Sequence, residues 1–246
     1  MSVDAVRSLA ELIGSSQPCV VLTGAGVSTE SGIPDFRSAT GIWAEYDPME
    51  VASIWAFERD PEQVWEFYAR RLGVLLEAEP NPGHLALAEL ERRGLVAAVV
   101  TQNIDTLHAR AGSVDVVEVH GSIRTSSCRA CGLRVPLADV VARLPVPACE
   151  ACGAVLKPDV VMFGEPMPEP ELDRAVALAR EAGLLLVVGS SLEVHPVAAL
   201  PEETLAAGGK LAIVNRGPTP YDPDAAVRLD GSAGELLPAV VAALSS

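Results

Sequence analysis

Three sets of residues have the types and spacings to do chemistry: a glycine turn, a strand-end histidine and two close pairs of cysteines. The turn is Gly24-Ala25-Gly26, after the apolar run Cys19-Val20-Val21-Leu22 and before Val27 to Ser31. Missing side chains let backbone N–H groups approach a phosphate there, and a helix starting at Val27 aims its positive end at that anion. A strand, a glycine turn and a helix open a dinucleotide-binding unit, although Thr29 stands where the G-x-G-x-x-G pattern has its third glycine. His120 follows the apolar run Val116 to Val119. An imidazole titrates near neutrality and suits proton transfer. No nearby cysteine or carboxylate pattern marks it as a metal ligand or nucleophile, which leaves a base or a satisfied structural histidine.

The cysteines read Cys128-x2-Cys131, seventeen residues, then Cys149-x2-Cys152. That spacing suits a four-thiolate zinc site, and four protein ligands fill a tetrahedral shell with no position for water, so the metal is expected to be structural. The alternatives are two disulfides or free thiols. Cys19, alone in an apolar strand, is expected to be a small core residue.

The elements that must position these groups follow from periodicity. Val3, Val6, Leu9, Ala10 and Ile13 mark one face of a first helix capped by Ser2. Residues 40–48 are turn-rich, with Gly41, Trp43 and Tyr46 offering an aromatic lid, or in the plain reading a Trp43 that packs on the core. Helices are predicted over 49–57 and 62–77, then a break at Pro80-Asn81-Pro82-Gly83, a helix over 84–93 and a strand over 95–100. His84 and His108 are expected to be structural. Strands are predicted over 116–119, 160–163, 184–188, 211–214 and 226–229, with helices over 171–181 and 231–244. Alternating strands and helices imply an α/β fold with a Rossmann-like, doubly wound parallel sheet. Ligands bind beyond the C-terminal strand ends of such sheets, and Gly24, Gln102, His120 and Gly189 all follow strand-like runs.

The 246 residues, 49% of them hydrophobic, suffice for a sizeable core, as one large domain or one domain with insertions. No apolar run reaches the roughly 18 residues of a membrane span, and the N-terminal stretch lacks the apolar core of a secretion signal. A soluble cytoplasmic protein is the expectation. The net charge of −15 argues against sequence-independent nucleic-acid binding and is compatible with basic, lysine-bearing protein partners.

GAGVSTESGIPDFRS resembles the cofactor-loop signature of the sirtuins, the NAD-dependent protein-lysine deacylases. Thr101-Gln102-Asn103-Ile104-Asp105, His120-Gly121, the two CxxC pairs, Phe163-Gly164-Glu165, Gly189-Ser190-Ser191 and Asn215 follow in family order across nearly the whole chain. The resemblance implies a single catalytic domain. Its large NAD-binding part spans approximately 1–40, 85–120 and 157–246; its small part is helical over 41–84 and zinc-binding over 121–156. It implies attack of an acyl-lysine amide oxygen on the glycosidic carbon of NAD as nicotinamide leaves. His120 then takes a proton from a ribose hydroxyl, Asn103 orients the ribose and a water, and O-acyl-ADP-ribose is released. Asp105 and the Ile104 backbone would hold the nicotinamide carboxamide. Further NAD contacts are carried over to Gly24, Ala25, Gly26, Ser28, Asp35, Phe36, Arg37, Trp43, Gln102, Gly189, Ser190, Ser191, Asn215, Arg216, Gly217 and Ala233, with one structural zinc on the four cysteines. Serine at 190 replaces a frequent threonine and keeps the hydroxyl.

Val161, Phe163, Gly164 and Glu165 on one side, and Leu192 and Val194 on the other, would flank a substrate peptide added as a strand. Tyr68 and Arg71, at i and i+3 on one helix face, resemble the pair that marks desuccinylase and demalonylase sirtuins, and Ala52 the small residue that widens their acyl pocket. A phenol and a guanidinium could together hold a carboxylate. The plain reading is a packed tyrosine and a solvated arginine. Two other functions stay open: a mono-ADP-ribosyltransferase on the same NAD site, and a non-catalytic NAD-binding scaffold, against which the intact His120, Asn103 and Asp105 argue.

Overall fold

The run Cys19–Thr23 is buried at all five positions, as a strand must be when helices cover both faces of its sheet. The structure is a computed structural model that describes residues 3–244; the Ser2 cap expected for the first helix lies outside them. The strands are β1 Cys19–Thr23, β2 Ala98–Thr101, β3 Val116–Glu118, β4 Gly121–Cys128, β5 Arg134–Pro136, β6 Leu156–Val160, β7 Leu184–Val188, β8 Lys210–Val214 and β9 Val227–Leu229. The helices are α1 Val3–Ser15, α2 Pro48–Val51, α3 Ile54–Arg59, α4 Pro61–Glu77, α5 Pro82–Arg92, α6 Leu107–Ala111, α7 Leu137–Val141, α8 Glu169–Glu181, α9 Leu200–Ala206 and α10 Ala233–Ala243.

Six strands form one parallel sheet in the order β3-β2-β1-β7-β8-β9. Side chains alternate across it. Val21, Leu186 and Val214 pack with Leu9, Leu87 and Leu237 of α1, α5 and α10. Val20, Leu22 and Leu185 pack with Ala175 and Leu200 of α8 and α9. The order reverses between β1 and β7, which opens a crevice at their C-terminal ends. Backbone bonds extend the ladder past that edge: Gly24 N–H donates to Val188 O (3.2 Å), Gln102 N–H to Thr23 O (3.0 Å) and Gly189 N–H to Val214 O (2.9 Å). Gly24, Gln102, His120 and Gly189 therefore line one rim, as their positions after apolar runs led us to expect, and Asn215 joins them at the end of β8.

A third apolar cluster combines the helices after residue 42 with the second, antiparallel sheet β5-β4-β6. The Trp65 indole N–H of α4 donates to Leu156 O of β6 (2.7 Å). No helix of the described residues is long and apolar enough to cross a membrane.

Several elements differ from the sequence reading. The helix expected from Val27 is a 3-10 turn over Ala25–Ser31, because the close packing of Gly26 on Gly189 tightens it. The helix expected over 49–57 is two helices. Ser53, extended, caps the second through its Oγ on Ala56 N–H (3.1 Å) and bridges to Phe163. The strand expected over 160–163 runs instead over Leu156–Val160, because Phe163 turns to pair with Ala52 and Ile54. The small sheet and the short helix α9 have no periodic signature of their own.

Candidate active site

At the β1/β7 crevice the glycines are required by packing. Gly26 N–H donates to Gly189 O at 2.8 Å. A Cβ on Gly189 would stand 2.3 Å from Val27 N, at a φ of 60° that disfavours side chains anyway. Ala25 sits in the same turn. The crevice is thus floored by backbone, which suits close approach of a pyrophosphate.

Beside it lies a buried polar floor. Ser28 Oγ donates to Asp105 Oδ2 (2.7 Å) and accepts from Asn103 Nδ2 (3.1 Å), which also reaches Gly24 O (3.2 Å). Asp105 Oδ1 accepts the Leu107 N–H (2.9 Å). Asn103 Oδ1 receives no hydrogen bond from the described residues, so it remains an acceptor for a ribose hydroxyl or a water. Ile104 is tied to the small sheet through its carbonyl, which accepts from Ile123 N (3.2 Å). Thr106, directly after Asp105, holds a φ of 66°, a strained conformation for a β-branched residue. Gln102 Nε2 donates to Ser190 Oγ (2.9 Å), joining the rims of β2 and β7.

His120 stands half-buried between these rims. Its Nδ1 lies 3.0 Å from Gln102 O. A carbonyl only accepts, so Nδ1 carries the proton and Nε2 is the bare nitrogen, with no partner among the described residues. Burial depresses its pKa below the ordinary imidazole value; the Gln102 carbonyl pulls the other way and Arg37 adds to the depression. The ring is neutral and able to accept a proton at pH 7.

The loop after the turn is held by Asp35, whose Oδ1 accepts from Arg37 N–H (3.0 Å) and Ser38 N–H (2.8 Å). Arg37 Nε pairs with Glu193 at 3.3 Å, a partner the sequence did not reveal. Trp43 N–H donates to Phe36 O (2.9 Å), and its ring sits 5.0 Å from Phe36, 6.2 Å from Phe67 and 6.3 Å from Phe163. Trp43 is thus packed into an aromatic wall.

Past that wall lie the residues expected to meet an acyl chain. Ala52 is buried and its carbonyl accepts from Phe163 N–H (2.9 Å). Arg71 places its guanidinium 5.0 Å from the Phe67 ring centroid and 5.4 Å from that of Phe36. It is half-buried and has no carboxylate partner among the described residues. Burial keeps the neighbouring Tyr68 phenol protonated, with Arg71 opposing and Glu165 reinforcing that shift. A partly desolvated cation without an anion carries a cost that an anionic ligand would offset.

The segment 161–165, expected to flank a peptide, is fixed from below. Val161 N–H donates to His120 O (2.8 Å), and Glu165 Oε2 accepts from Met162 N–H (2.9 Å) and pairs with the buried Lys157 at 2.8 Å. Gly164, at φ 85°, lies under the exposed Trp55 ring, which a Cβ would meet at 2.4 Å. Across from it Leu192 takes a φ of 55°, with its N–H 3.3 Å from Ser190 Oγ. Ser191 Oγ donates to Glu193 (3.1 Å), and Val194 O accepts from Ala198 N–H (2.8 Å). At the far rim, Asn215 Nδ2 bonds the carbonyls of exposed Arg216 (3.0 Å) and Gly217 (3.2 Å). Ala233 is buried at the start of α10, against Gly83.

Sequence reasoning treated His84 as merely structural, yet it abuts the site. Its Nδ1 accepts the Asn81 N–H and its Nε2 lies 3.4 Å from Ser28 Oγ. The capping position of Asn81, three residues before it, was the available signal.

Away from this crevice, the four Sγ atoms of Cys128, Cys131, Cys149 and Cys152 lie within 4.8 Å of one another. Cys128–Cys152 and Cys131–Cys149 are 3.5 and 3.6 Å apart, far beyond a disulfide bond and near the roughly 3.8 Å edge that Zn–S bonds of about 2.3 Å give a tetrahedron. Each pair ends in a tight knuckle closed by a glycine at positive φ, Gly132 and Gly153, whose N–H donates back to Cys128 O and Cys149 O. The donor set fits one structural zinc. Elemental analysis of protein purified without chelator is expected to return one zinc per chain, and Cys131→Ser is expected to lower both zinc content and Tm. A native fold free of zinc would refute the assignment.

The Sir2 family profile matches residues 24–196. The chain is 48% identical to NAD-dependent protein deacylase 2 of Archaeoglobus fulgidus over 242 residues, covering 97% of this chain and 95% of that protein. Among solved structures, one described under the structural basis for the mechanism and regulation of Sir2 enzymes superposes with a TM-score of 0.94 at 46% identity, covering 99% of both chains. A Sir2 structure with a p53 peptide and NAD+ superposes with a TM-score of 0.90 at 40% identity, covering 98% of both chains.

Proposed function

The chain belongs to the Sir2 family, the sirtuins, and from that premise we propose that it removes acyl groups from lysine side chains of proteins, with NAD as co-substrate. It is an NAD-dependent protein deacylase. NAD, when bound, supplies an electrophilic glycosidic carbon and the ribose hydroxyl that carries the acyl group away, so that nicotinamide, free lysine and O-acyl-ADP-ribose are the products. The glycine crevice receives the pyrophosphate. Asp105, Ser28 and the Ile104 backbone hold the nicotinamide end, and Asn103 Oδ1 orients the ribose or a water. His120 Nε2 accepts the ribose proton; the bare nitrogen at the sheet edge, beside Asn103, is the observation that carries this reading. The peptide strand inserts between 161–165 and 192–194, so that main-chain pairing supplies affinity with little sequence preference. This reading takes the six-stranded sheet and its helices as the NAD-binding part, and the segments 41–84 and 121–156 as the small domain.

The acyl preference is the finer part of the proposal: succinyl and malonyl groups as well as acetyl. Arg71, half-buried and without an anion, supports it, with the protonated Tyr68 beside it as hydrogen-bond donor and small Ala52 leaving room. The test is kcat/KM of the native protein on matched acetyl, malonyl and succinyl peptides. Succinyl and malonyl rates at least equal to acetyl are expected. Negligible activity on both acidic acyl groups would return Tyr68 and Arg71 to a packing role.

A further inference from the structure

Three buried polar side chains beneath the site have no part in the scheme above: Thr23, Thr101 and His108, all within 2% of full burial. They form a chain of short contacts. His108 Nε2 lies 2.9 Å from Thr23 Oγ1, Thr23 Oγ1 lies 2.7 Å from Thr101 Oγ1, and Thr101 Oγ1 accepts the Asn103 N–H at 3.1 Å. The last link matters because the Asn103 N–H belongs to the same peptide unit as the Gln102 carbonyl. That carbonyl is the acceptor for His120 Nδ1. One planar peptide is thus gripped on one edge by the threonine hydroxyls and offers its other edge to the base. Turning the peptide would break both contacts together.

The Asn103 N–H makes Thr101 Oγ1 an acceptor at one end, and each threonine hydroxyl has one proton to pass along the chain, in the direction set by the His108 tautomer. At the other end His108 Nδ1 is a buried atom with no partner. Burial, with a smaller contribution from nearby His84, pushes the His108 pKa down to about 3, so the ring stays neutral. A phenylalanine or leucine would fill the space without an unsatisfied nitrogen, so packing alone does not account for an imidazole here. Hydrogen bonding of an N–H also polarises the carbonyl of its peptide, which strengthens that carbonyl as an acceptor.

We propose that His108, Thr23 and Thr101 form a positioning relay for His120. They hold the Gln102–Asn103 peptide so that its carbonyl keeps His120 in the Nδ1–H tautomer, with Nε2 bare and available to substrate. The relay deepens the reading of His120 as base and rests on it, but one readout is independent of activity. Protein labelled with 15N in its histidine rings gives the tautomer of each ring from long-range 15N–1H correlations, with His120 assigned by its loss in His120→Ala. Native protein is expected to show His120 as Nδ1–H. Thr101→Val removes the hydroxyl at nearly constant volume. It is expected to mix the His120 tautomers and to lower deacylation kcat about tenfold, the effect of one hydrogen bond. The KM for NAD and the nicotinamide exchange rate, which precedes proton transfer in the scheme, are expected to change less than about twofold. Thr101→Ser is expected to restore tautomer and rate.

A packing role would instead lower Tm with exchange and deacylation falling together and the tautomer unmoved, which overturns the proposal. An Nε2–H tautomer in the native protein overturns it without any variant. Should Thr101→Val fail to fold, Thr23→Val carries the same comparison one link further away. If the native protein lacks deacylase activity, the function fails while the tautomer spectra still decide the relay.

Discussion

His120→Ala is expected to lose most deacylase turnover, roughly a hundred- to ten-thousandfold, the range for removal of a general base. NAD affinity should stay near native, because the glycine crevice is built from Gly24, Gly26 and Gly189 and touches none of the imidazole's contacts. The same histidine sets the pH dependence. Its folded-state pKa is depressed by burial, so the base remains unprotonated below the ordinary imidazole value, and it is lost only as pH falls through the lowered pKa. The acid limb of kcat/KM should therefore fall below about pH 6.5 and vanish from the residual activity of His120→Ala. Native turnover in the variant would show that another group removes the ribose proton.

Arg71→Met is expected to depress kcat/KM on succinyl and malonyl peptides about ten- to a hundredfold, the scale of a lost charge-assisted hydrogen bond. Acetyl activity should change by less than about twofold. Methionine keeps an unbranched apolar stem to pack on Phe36 and Phe67 while removing the cation. Equal losses on all three acyl groups would mean that the substitution disturbs the aromatic wall instead of removing an anion's partner.

The parts of the fold legible in the sequence were those whose cause is local. Continuous apolar runs such as Cys19–Thr23 and Leu184–Val188 could only be strands covered on both faces, and the residue after each run had to lie on the sheet's C-terminal rim. The cysteine pairs were legible from their spacing, while the glycine-closed turns at Gly132 and Gly153 that shape each knuckle came from the structure. What escaped depended on distant partners. The break at Ala52-Ser53 exists because Phe163, over a hundred residues later, pairs there. The end of β6 at Val160 is the same contact seen from the other side. Arg37 meets Glu193, and the Thr23–Thr101–His108 chain joins two parallel strands and a short helix; no window of sequence holds such a set. Ser28 was expected at the cofactor for its motif alone, and its role as the hub between Asn103, Asp105 and His84 needed coordinates.

One assay bears most directly on NAD-dependent deacylation: nicotinamide release and peptide deacylation measured together, with and without an acylated lysine peptide, while the protein and peptide are weighed for attached ADP-ribose. The account predicts nicotinamide release that depends on the acyl peptide, one deacylated peptide per nicotinamide, and O-acyl-ADP-ribose as the co-product. Nicotinamide release indifferent to the acyl group, with ADP-ribose retained on a protein side chain, would contradict it and identify a mono-ADP-ribosyltransferase.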